Sequence, residues 1–227
     1  MYICNMEEKI PKVDWLIKCE PEKLLHGRMY YPIGNQILFQ QDNQFIITQI
    51  SEEEEYTIEQ YNLLPEGAPY QLIHGKLIFM TSPKFNHQDI LMNLNRQIDN
   101  FVFDNKLGKV LLAPMSVKFD ERNVLQPDLL FVSIKRKAII EEWIMGAPDF
   151  VVEILSKSTE KNDRTKKMET YGKYEVIEYW IVNLKAENIE VYHNQDKQMQ
   201  LVQTAEKDHI IVSKAIEGFQ LEVSKIF

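Results

Sequence analysis

Two acidic residues stand in stretches of sequence that are otherwise apolar. Glu153 lies within "PDFVVEILSKST", where phenylalanine, valine, isoleucine and leucine surround it, and Asp128 lies within "VLQPDLLFV". Burying an ionised carboxylate is costly unless a cation or a hydrogen-bond donor meets it. Hard divalent cations such as Mg²⁺ prefer oxygen ligands, so the two acids could share one ion. The alternative is that each acid pairs with an arginine or faces a sheet edge.

A shared ion requires the two acids to lie on neighbouring strands. Runs that are apolar on both faces are typical of central strands covered by helices. A period of two places each acid on one face of its strand. The residues expected on those faces are Val124, Gln126, Asp128, Leu130 and Val132 in the first strand, and Val151, Glu153 and Leu155 in the second.

A lysine follows the second acid on a predicted helix. In "NDRTKKMETYGKY", Asp163, Lys167, Tyr171 and Tyr174 recur at spacings that share one helix face. An ammonium beside two carboxylates suits phosphodiester hydrolysis, because the metal polarises the phosphate and activates water while the lysine orients the nucleophile or neutralises charge. The alternative is a solvated lysine that pairs only with Asp163.

Other elements frame this cluster. "TSPKFNHQDILMNLNRQIDNFVF" predicts a long helix with Ser82 as N-cap and Pro83 at the first helical position. Its inward face is predicted to hold His87, Leu91, Leu94, Ile98 and Phe101. Tyr179 and Trp180, in an apolar strand, are expected in the core rather than on a base-stacking surface. Strands alternating with helices indicate an α/β or α+β domain.

The first 55 residues differ from the rest of the chain. They hold weak strand signals, "NQILFQQ" and "NQFIITQI", separated by "DN", which predict a possible β-hairpin. The acidic run Ser51–Glu55 marks a boundary. We therefore expect an N-terminal extension over residues 1–55 and a main domain over residues 56–227.

Composition limits the partners of the chain. Its 227 residues include 26 basic and 34 acidic ones, for a net charge of −8, which disfavours a surface that coats DNA nonspecifically. No run reaches the roughly 18 apolar residues of a membrane span. No secretory leader is recognisable, and Cys4 and Cys19 form neither a disulfide framework nor a metal motif, so we expect a cytoplasmic protein.

A local basic stretch offsets the acidic balance. Between Ser156 and Lys173 there are six basic residues and three acidic ones. This excess fits a strip that faces phosphates, although a solvated helix face would look the same. The residues predicted for the strip are Lys157, Lys161, Arg164 and Lys166.

The motifs taken in order resemble a known family. "YQLIHGKL", "TSPKFNHQDI", "QPDLLFV", "PDFVVEILSKST", "NDRTKKMETY" and "EYWIV" are similar to the Uma-type restriction endonucleases, a branch of the PD-(D/E)XK nuclease superfamily. The resemblance covers roughly residues 56–227. It implies an α/β fold with a restriction-endonuclease-like core, a mixed central β-sheet flanked by helices, and Mg²⁺- or Mn²⁺-dependent cutting of DNA.

The resemblance also implies roles for individual residues. Asp128 and Glu153 would be metal ligands, with the Ile154 carbonyl as a third. The superfamily lysine normally stands two residues after the second acid, where this chain has Leu155. Lys167 matches the lysine of this branch, on the following helix, and would position or activate the water.

His87 is a fourth catalytic candidate, and three further positions are accessory, one of which departs from the family. His87 matches a histidine near the site and could bind phosphate or shuttle a proton, although it could also be a core histidine. Asp163 and Tyr171 belong to the same helix motif as the lysine. Gln71 stands where the family usually has glutamate, so metal binding or activity could be impaired.

Two rival functions remain open at the level of sequence. One is hydrolysis of another phosphoester, in RNA or a nucleotide. The other is a catalytically weak protein with the nuclease fold that binds a partner, because fold alone does not establish activity. A homodimer is expected only by analogy with related folds that cut both strands of DNA.

Overall fold

The computed structural model describes residues 31–33, 36–41, 44–49, 55–62, 64 and 67–227, with only the backbone given over residues 31–49. Most of the predicted acidic boundary, together with Cys4, Cys19 and His26, lies outside the described residues. Within the described residues no helix is both long enough and apolar enough to cross a membrane. The chain separates into two units, Met1–Glu55 with Gln60–Ala68, and Tyr56–Glu59 with Pro69–Phe227.

The elements are numbered in chain order. The strands are β1 Tyr31–Ile33, β2 Gln36–Gln41, β3 Gln44–Gln49, β4 Tyr70–Ile73, β5 Lys76–Phe79, β6 Gly108–Leu112, β7 Val117–Asp120, β8 Asn123–Leu125, β9 Leu129–Ser133, β10 Ile144–Met145, β11 Phe150–Ile154, β12 Glu178–Asn183, β13 Asn188–Gln195, β14 Gln198–Ala205, β15 Ile210–Val212 and β16 Gln220–Glu222. The helices are α1 Ile58–Tyr61, α2 Phe85–Asp104, α3 Glu160–Asn162 and α4 Met168–Lys173, with a π-helix at Asp163–Lys167 and 3₁₀ helices at Ile134–Ile139 and Val223–Lys225.

The smaller unit contains a three-stranded antiparallel sheet in the order β1-β2-β3. Strands β2 and β3 pair from Gln36 opposite Gln49 to Gln41 opposite Gln44. These strands coincide with the two segments whose sequence indicates a hairpin. The proposed division of the chain at residue 55 stays a prediction.

The larger unit is built on two mixed sheets. The first has the order β10-β7-β8-β4-β5, and the second has the order β14-β13-β12-β11-β9-β6. In the second sheet β11 runs parallel to β12 and antiparallel to β9. The remaining strands β15 and β16 pair with each other. The structure confirms the predicted mixed sheet flanked by helices.

Helix α2 begins later than the sequence predicts. Lys84, rather than Ser82, is the N-cap, and its backbone is still extended at φ −86° and ψ 166°, so the helix cannot include Pro83. Four of the five residues predicted on the inward face are buried. The fifth, Phe101, is only half-buried, and the next residue, Val102, is buried instead. The buried residues of α2 are His87, Ile90, Leu91, Leu94, Ile98 and Val102.

The six-stranded sheet has an apolar core on each face. On one face α2 packs against the side chains of Phe150, Val152 and Trp180. On the other face the neighbouring side chains of β11 and β12, among them Val151 and Tyr179, pack against the five-stranded sheet and α4. Tyr179 and Trp180 have no exposed surface, as expected for core aromatics.

The predicted continuous strand from Val124 to Val132 is interrupted. Strand β8 ends at Leu125 and β9 begins at Leu129, and the three residues between them carry the chain from one sheet to the other. Pro127 supplies the physical reason, because proline has no backbone N–H for a sheet ladder. Asp128 therefore lies at the junction of the two sheets.

The segment that follows β11 changes helix type along its length. It passes from α3 through the π-helix into α4, and a single π turn inside a helix is rare and often marks a functional site. Gly172 in α4 touches the β13–β14 hairpin so closely that an added Cβ would lie 2.8 Å from the Lys197 carbonyl oxygen. Asn194 Nδ2 also donates a hydrogen bond of 2.8 Å to the Gly172 carbonyl.

Candidate active site

Glu153 lies near the end of β11 and is only 3% exposed. The Tyr171 hydroxyl donates a hydrogen bond of 2.6 Å to its Oε1, and the Lys167 ammonium lies 2.9 Å from the same oxygen. No described residue bonds its second oxygen, Oε2. The carboxylate is therefore fixed through one oxygen and has the other available for a ligand.

Lys167 is buried, with 2% of its surface exposed. Its Nζ lies 2.9 Å from Glu153 Oε1 and 2.9 Å from Asp163 Oδ1. Asp163 itself has no exposed surface, and the alternative of a solvated helix lysine is wrong. The turn from Asp163 to Lys167 is the π-helix, so the wide turn itself carries both ends of this ion pair.

Carboxyl groups outnumber ammonium groups in this buried cluster. Burial raises the pKa of Glu153 to about 8; the ammonium of Lys167 opposes that shift, and the charges of Asp163 and Asp128 add to it. Burial alone would lower the pKa of Lys167, but its two carboxylate neighbours hold that pKa above its ordinary value. One charged lysine does not neutralise three carboxyl groups, so the cluster can accept a further cation.

Asp128 approaches the cluster from the position just before β9. Its Oδ2 accepts a hydrogen bond of 2.7 Å from the Ile154 N–H and lies 3.3 Å from His87 Nε2. Val152 opposite Leu129 is the last pair of the β9–β11 ladder, and the same register continued by one step sets Asp128 across from Glu153. No described residue bonds the other oxygen of Asp128, Oδ1.

The backbone of Ile154 is directed to the same place. A residue in a strand points its N–H and C=O to the same side, and the Ile154 N–H meets Asp128. The Ile154 carbonyl is therefore directed past the end of β9. Asp128, Glu153 and the Ile154 carbonyl supply oxygens of three origins around this point, and such oxygens are the ligands that a hard cation such as Mg²⁺ prefers while it keeps several waters.

Side chains alone do not complete a metal site. Among the described residues no group of three or more histidine, cysteine, aspartate or glutamate side chains has the arrangement of a metal centre. A divalent ion held here would depend on two carboxylates, one backbone carbonyl and water. Such a ligand set is typical of Mg²⁺ rather than of Zn²⁺.

His87 contacts the cluster from the first turn of α2. Burial lowers its pKa, but the bond to Asp128, the charge of Asp128 and the Ile154 backbone outweigh burial, so the pKa is raised. A raised pKa favours the protonated, cationic ring near neutral pH. His87 is buried like a core histidine, yet its Nε2 faces a candidate metal ligand.

Gln71 supports the site without touching its centre. Its Oε1 accepts a hydrogen bond of 3.0 Å from the Gln126 N–H, and its Nε2 lies 2.9 Å from Met80 Sδ. Gln126 stands two residues before Asp128. The side-chain amide of Gln71 therefore anchors the turn between the two sheets.

Tyr174 and Arg164, which the sequence predicts near the site, bind other partners. Tyr174 follows the last residue of α4 and so leaves the helix face of Lys167, and its hydroxyl donates to Asp120. Arg164 is held by Glu190 through two bonds of 2.7 Å and by Glu160 at 3.1 Å. These carboxylates raise the pKa of Arg164 further, and the residue ties the helical segment to β13. Its assignment to the phosphate-facing strip stays a prediction.

The rest of the basic strip differs in exposure. Lys157 and Lys161 are exposed, and Lys166 is half-buried. None of the three forms an ion pair with a described residue. Their assignment to phosphate contacts stays a prediction.

Sequence reasoning missed a polar network behind the lysine helix. His74 Nε2 lies 3.1 Å from Thr170 Oγ1, and the His74 N–H donates a hydrogen bond of 2.9 Å to Asn123 Oδ1. Thr170 stands three residues after Lys167. The network links the β4–β5 turn and β8 to the helix, and no local pattern could reveal it because the partners are distant in sequence.

Comparisons with known proteins agree with this geometry. Residues 58–224 match the Uma2 family, described as "Putative restriction endonuclease". No match was found among curated proteins. A crystal structure described as "a putative nuclease belonging to DUF820 from Anabaena variabilis" is similar, with a TM-score of 0.65 and 22% identity over 75% of this chain and 97% of that chain. The structural likeness shows a shared fold, and the sequence match shows that the chain belongs to the Uma2 restriction endonuclease family.

Proposed function

We propose that this protein is a nuclease that hydrolyses phosphodiester bonds in DNA with the help of Mg²⁺ or Mn²⁺. One observation carries the proposal: Lys167 is buried between Glu153 and Asp163, while Asp128, just before β9, bonds the N–H of the residue after Glu153. A purely structural core would rarely collect three acids and one ammonium, because each buried charge is costly. Membership of a restriction endonuclease family supports nuclease activity, and the divalent ion and DNA are our inference.

Each residue has a distinct role in the proposed reaction. Asp128, Glu153 and the Ile154 carbonyl would hold the ion. When bound, a divalent ion polarises the phosphate and lowers the pKa of a bound water. Lys167 orients the attacking water and neutralises charge that develops on the phosphate. Tyr171 fixes the rotamer of Glu153 through its hydrogen bond.

His87 completes the proposed site from the opposite side. A protonated ring beside Asp128 can donate a hydrogen bond to a phosphate oxygen or a proton to the leaving oxygen. The proposed catalytic domain is residues 56–227, with residues 1–55 as an extension. By analogy with related folds that cut both strands of DNA as dimers, the proposal includes a homodimer, and it places the protein in the cytoplasm.

A second candidate function is partner binding without efficient turnover. Gln71 favours it, because a neutral amide near Asp128 contributes no charge to the ion. Hydrolysis of RNA or of a nucleotide is compatible with the same residues. A hydrolase of either kind should turn over substrate with some divalent ion, whereas a binding protein should not do so with any.

A plasmid-nicking assay tests the proposal. Wild-type protein should nick supercoiled plasmid with Mg²⁺ or Mn²⁺, and EDTA should stop the reaction. Lys167→Ala should remove activity, whereas Lys109→Ala, which changes an exposed lysine at the other end of the sheet, should not. Nicking that persists in EDTA, or that is the same in Lys167→Ala, would refute the mechanism.

A further inference from the structure

Two short loops meet beside the candidate active site. Residues 81–84 lead into α2, close before His87, and residues 156–159 follow β11, directly after Leu155. Thr81 Oγ1 and Ser158 Oγ lie 3.3 Å apart and join the two loops. Together with the first turn of α2 through His87, these loops are called the mouth segments.

The mouth segments carry a continuous chain of hydroxyl groups. Beyond the Thr81–Ser158 contact, Ser158 Oγ lies 3.1 Å from Ser156 Oγ, and Ser156 Oγ lies 3.0 Å from Thr159 Oγ1. A hydroxyl can rotate to donate its proton to whichever acceptor is present. The chain can therefore turn its protons toward phosphate oxygens.

The charges of the mouth segments are all positive or titratable to positive. Residues 81–87 and 156–159 contain no aspartate or glutamate. Lys84 and Lys157 are exposed, and neither ammonium pairs with a described acid. On a chain with a net charge of −8, the mouth segments themselves carry no group that repels a polyanion, and the exposed acids Asp89 and Glu160 lie just beyond their ends.

An aromatic ring stands at the same place. Phe85, the first residue of α2, is 78% exposed. A phenylalanine with so much surface in water contributes little to the fold. An exposed ring beside cations and hydroxyls matches the composition of surfaces on which bases of single-stranded nucleic acids stack.

The distances suit a strand that passes through the active site. Ser156 is two residues beyond Ile154, and an extended chain spans at most ~3.6 Å per residue, so their Cα atoms lie within about 7 Å. Phosphates recur at ~3.4 Å of rise per nucleotide along one strand. The mouth segments therefore reach phosphates that neighbour the one at the candidate metal ligands.

We propose that the mouth segments bind a polynucleotide strand on one side of the scissile phosphate. Lys84, Lys157 and the hydroxyl chain contact backbone phosphates, and Phe85 stacks on a base. This inference rests on the proposed nuclease function and deepens it, because it assigns the site to polynucleotides rather than to mononucleotides or other small phosphoesters.

The test compares a long and a short substrate. An oligonucleotide can reach the mouth segments, whereas bis(4-nitrophenyl) phosphate has no flanking phosphate, and both are assayed with Mn²⁺. Phe85→Ala, and separately the double variant Lys84→Ala/Lys157→Ala, should lower the ratio of the two kcat/KM values by about ten- to a hundredfold. Damage to the fold would lower both activities together and leave this ratio unchanged.

Matched controls lie on the same molecule. Phe103, at the other end of α2, is 77% exposed, and Phe103→Ala should keep the wild-type ratio. Lys109→Ala/Lys135→Ala removes two exposed lysines at the far end of β6 and β9 and should also keep it. A wild-type ratio in the mouth variants, or an equal fall in these controls, overturns the inference.

Binding gives an answer that does not depend on turnover. Fluorescence anisotropy measures the affinity for a labelled oligonucleotide at several salt concentrations. The slope of the logarithm of the binding constant against the logarithm of the salt concentration should be smaller in Lys84→Ala/Lys157→Ala than in wild type, by about 1.4 to 1.8. An unchanged slope overturns the inference even if the protein cuts DNA. If wild type hydrolyses neither substrate with Mg²⁺ or Mn²⁺, the proposed function fails, and a reduced slope would still support the mouth segments as a nucleic-acid contact.

Discussion

The buried carboxylate of Glu153 makes stability depend on pH in a defined direction. Its pKa is about 8 in the folded protein, against an ordinary value of 4.5. Between these values the folded state holds a proton that the unfolded state has released. The free energy of unfolding therefore falls as pH rises from about 4.5 to 8, and the metal-free protein is less stable in mild alkali.

The magnitude follows from the size of the shift. Each pKa unit corresponds to about 1.36 kcal/mol, so this one group can remove up to about 5 kcal/mol over the window. Glu153→Gln keeps an oxygen for Tyr171 and Lys167 to donate to, but it cannot ionise. The variant should match wild type near pH 4.5 and exceed its stability by up to about 5 kcal/mol near pH 8.5.

Urea unfolding followed by circular dichroism measures this difference. Wild type, Glu153→Gln and Glu169→Gln are unfolded in EDTA at several pH values from 4.5 to about 9. Glu169 is exposed on the same helical segment, so its variant should follow wild type. If the free energy of unfolding changed with pH in the same way in wild type and Glu153→Gln, the reasoning would be refuted, because the pKa of Glu153 would then not be raised by folding.

Three further outcomes are expected. Mn²⁺ at about a hundred times its Kd should stabilise wild type by about 2.7 kcal/mol near pH 8.5 but leave Glu153→Gln unchanged in thermal unfolding. Lys167→Met should lower the free energy of unfolding by about 3–5 kcal/mol, because Glu153 and Asp163 lose their ammonium, and should reduce plasmid nicking by about 10²–10³. Gln71→Glu should tighten Mn²⁺ binding in calorimetry while costing about 1–3 kcal/mol of stability, because its carboxylate meets Met80 Sδ.

The centre of the candidate site could be found from local patterns. Glu153 stands in a run that is apolar on both faces, and such a run is typical of a covered strand. Lys167 shares a helix face with Asp163 and Tyr171, and all three side chains are buried together at Glu153. In each case the pattern lies within about a dozen residues of sequence, and the resemblance to the family favoured these roles over a simple ion pair or a solvated lysine.

Contacts between distant segments could not be found in this way. Thr81 meets Ser158 across 77 positions, and His74 meets Thr170 across 96. The break before β9 was visible in principle, because Pro127 cannot donate to a ladder, but the alternation of Asp128 with its apolar neighbours concealed it. The predicted start of α2 was wrong because a serine–proline pair caps a helix only when helical backbone follows it, and here the backbone stays extended through Lys84.

Gly172, on the helical segment that carries Lys167, packs closely against the β13–β14 hairpin. The space there admits only a hydrogen atom, since a methyl group would lie 2.8 Å from the Lys197 carbonyl oxygen. An added methyl group at position 172 would therefore force the hairpin away from the helical segment that also carries Lys167. A bulky residue, a tag or an antibody fragment at the hairpin would act on the candidate site through this contact.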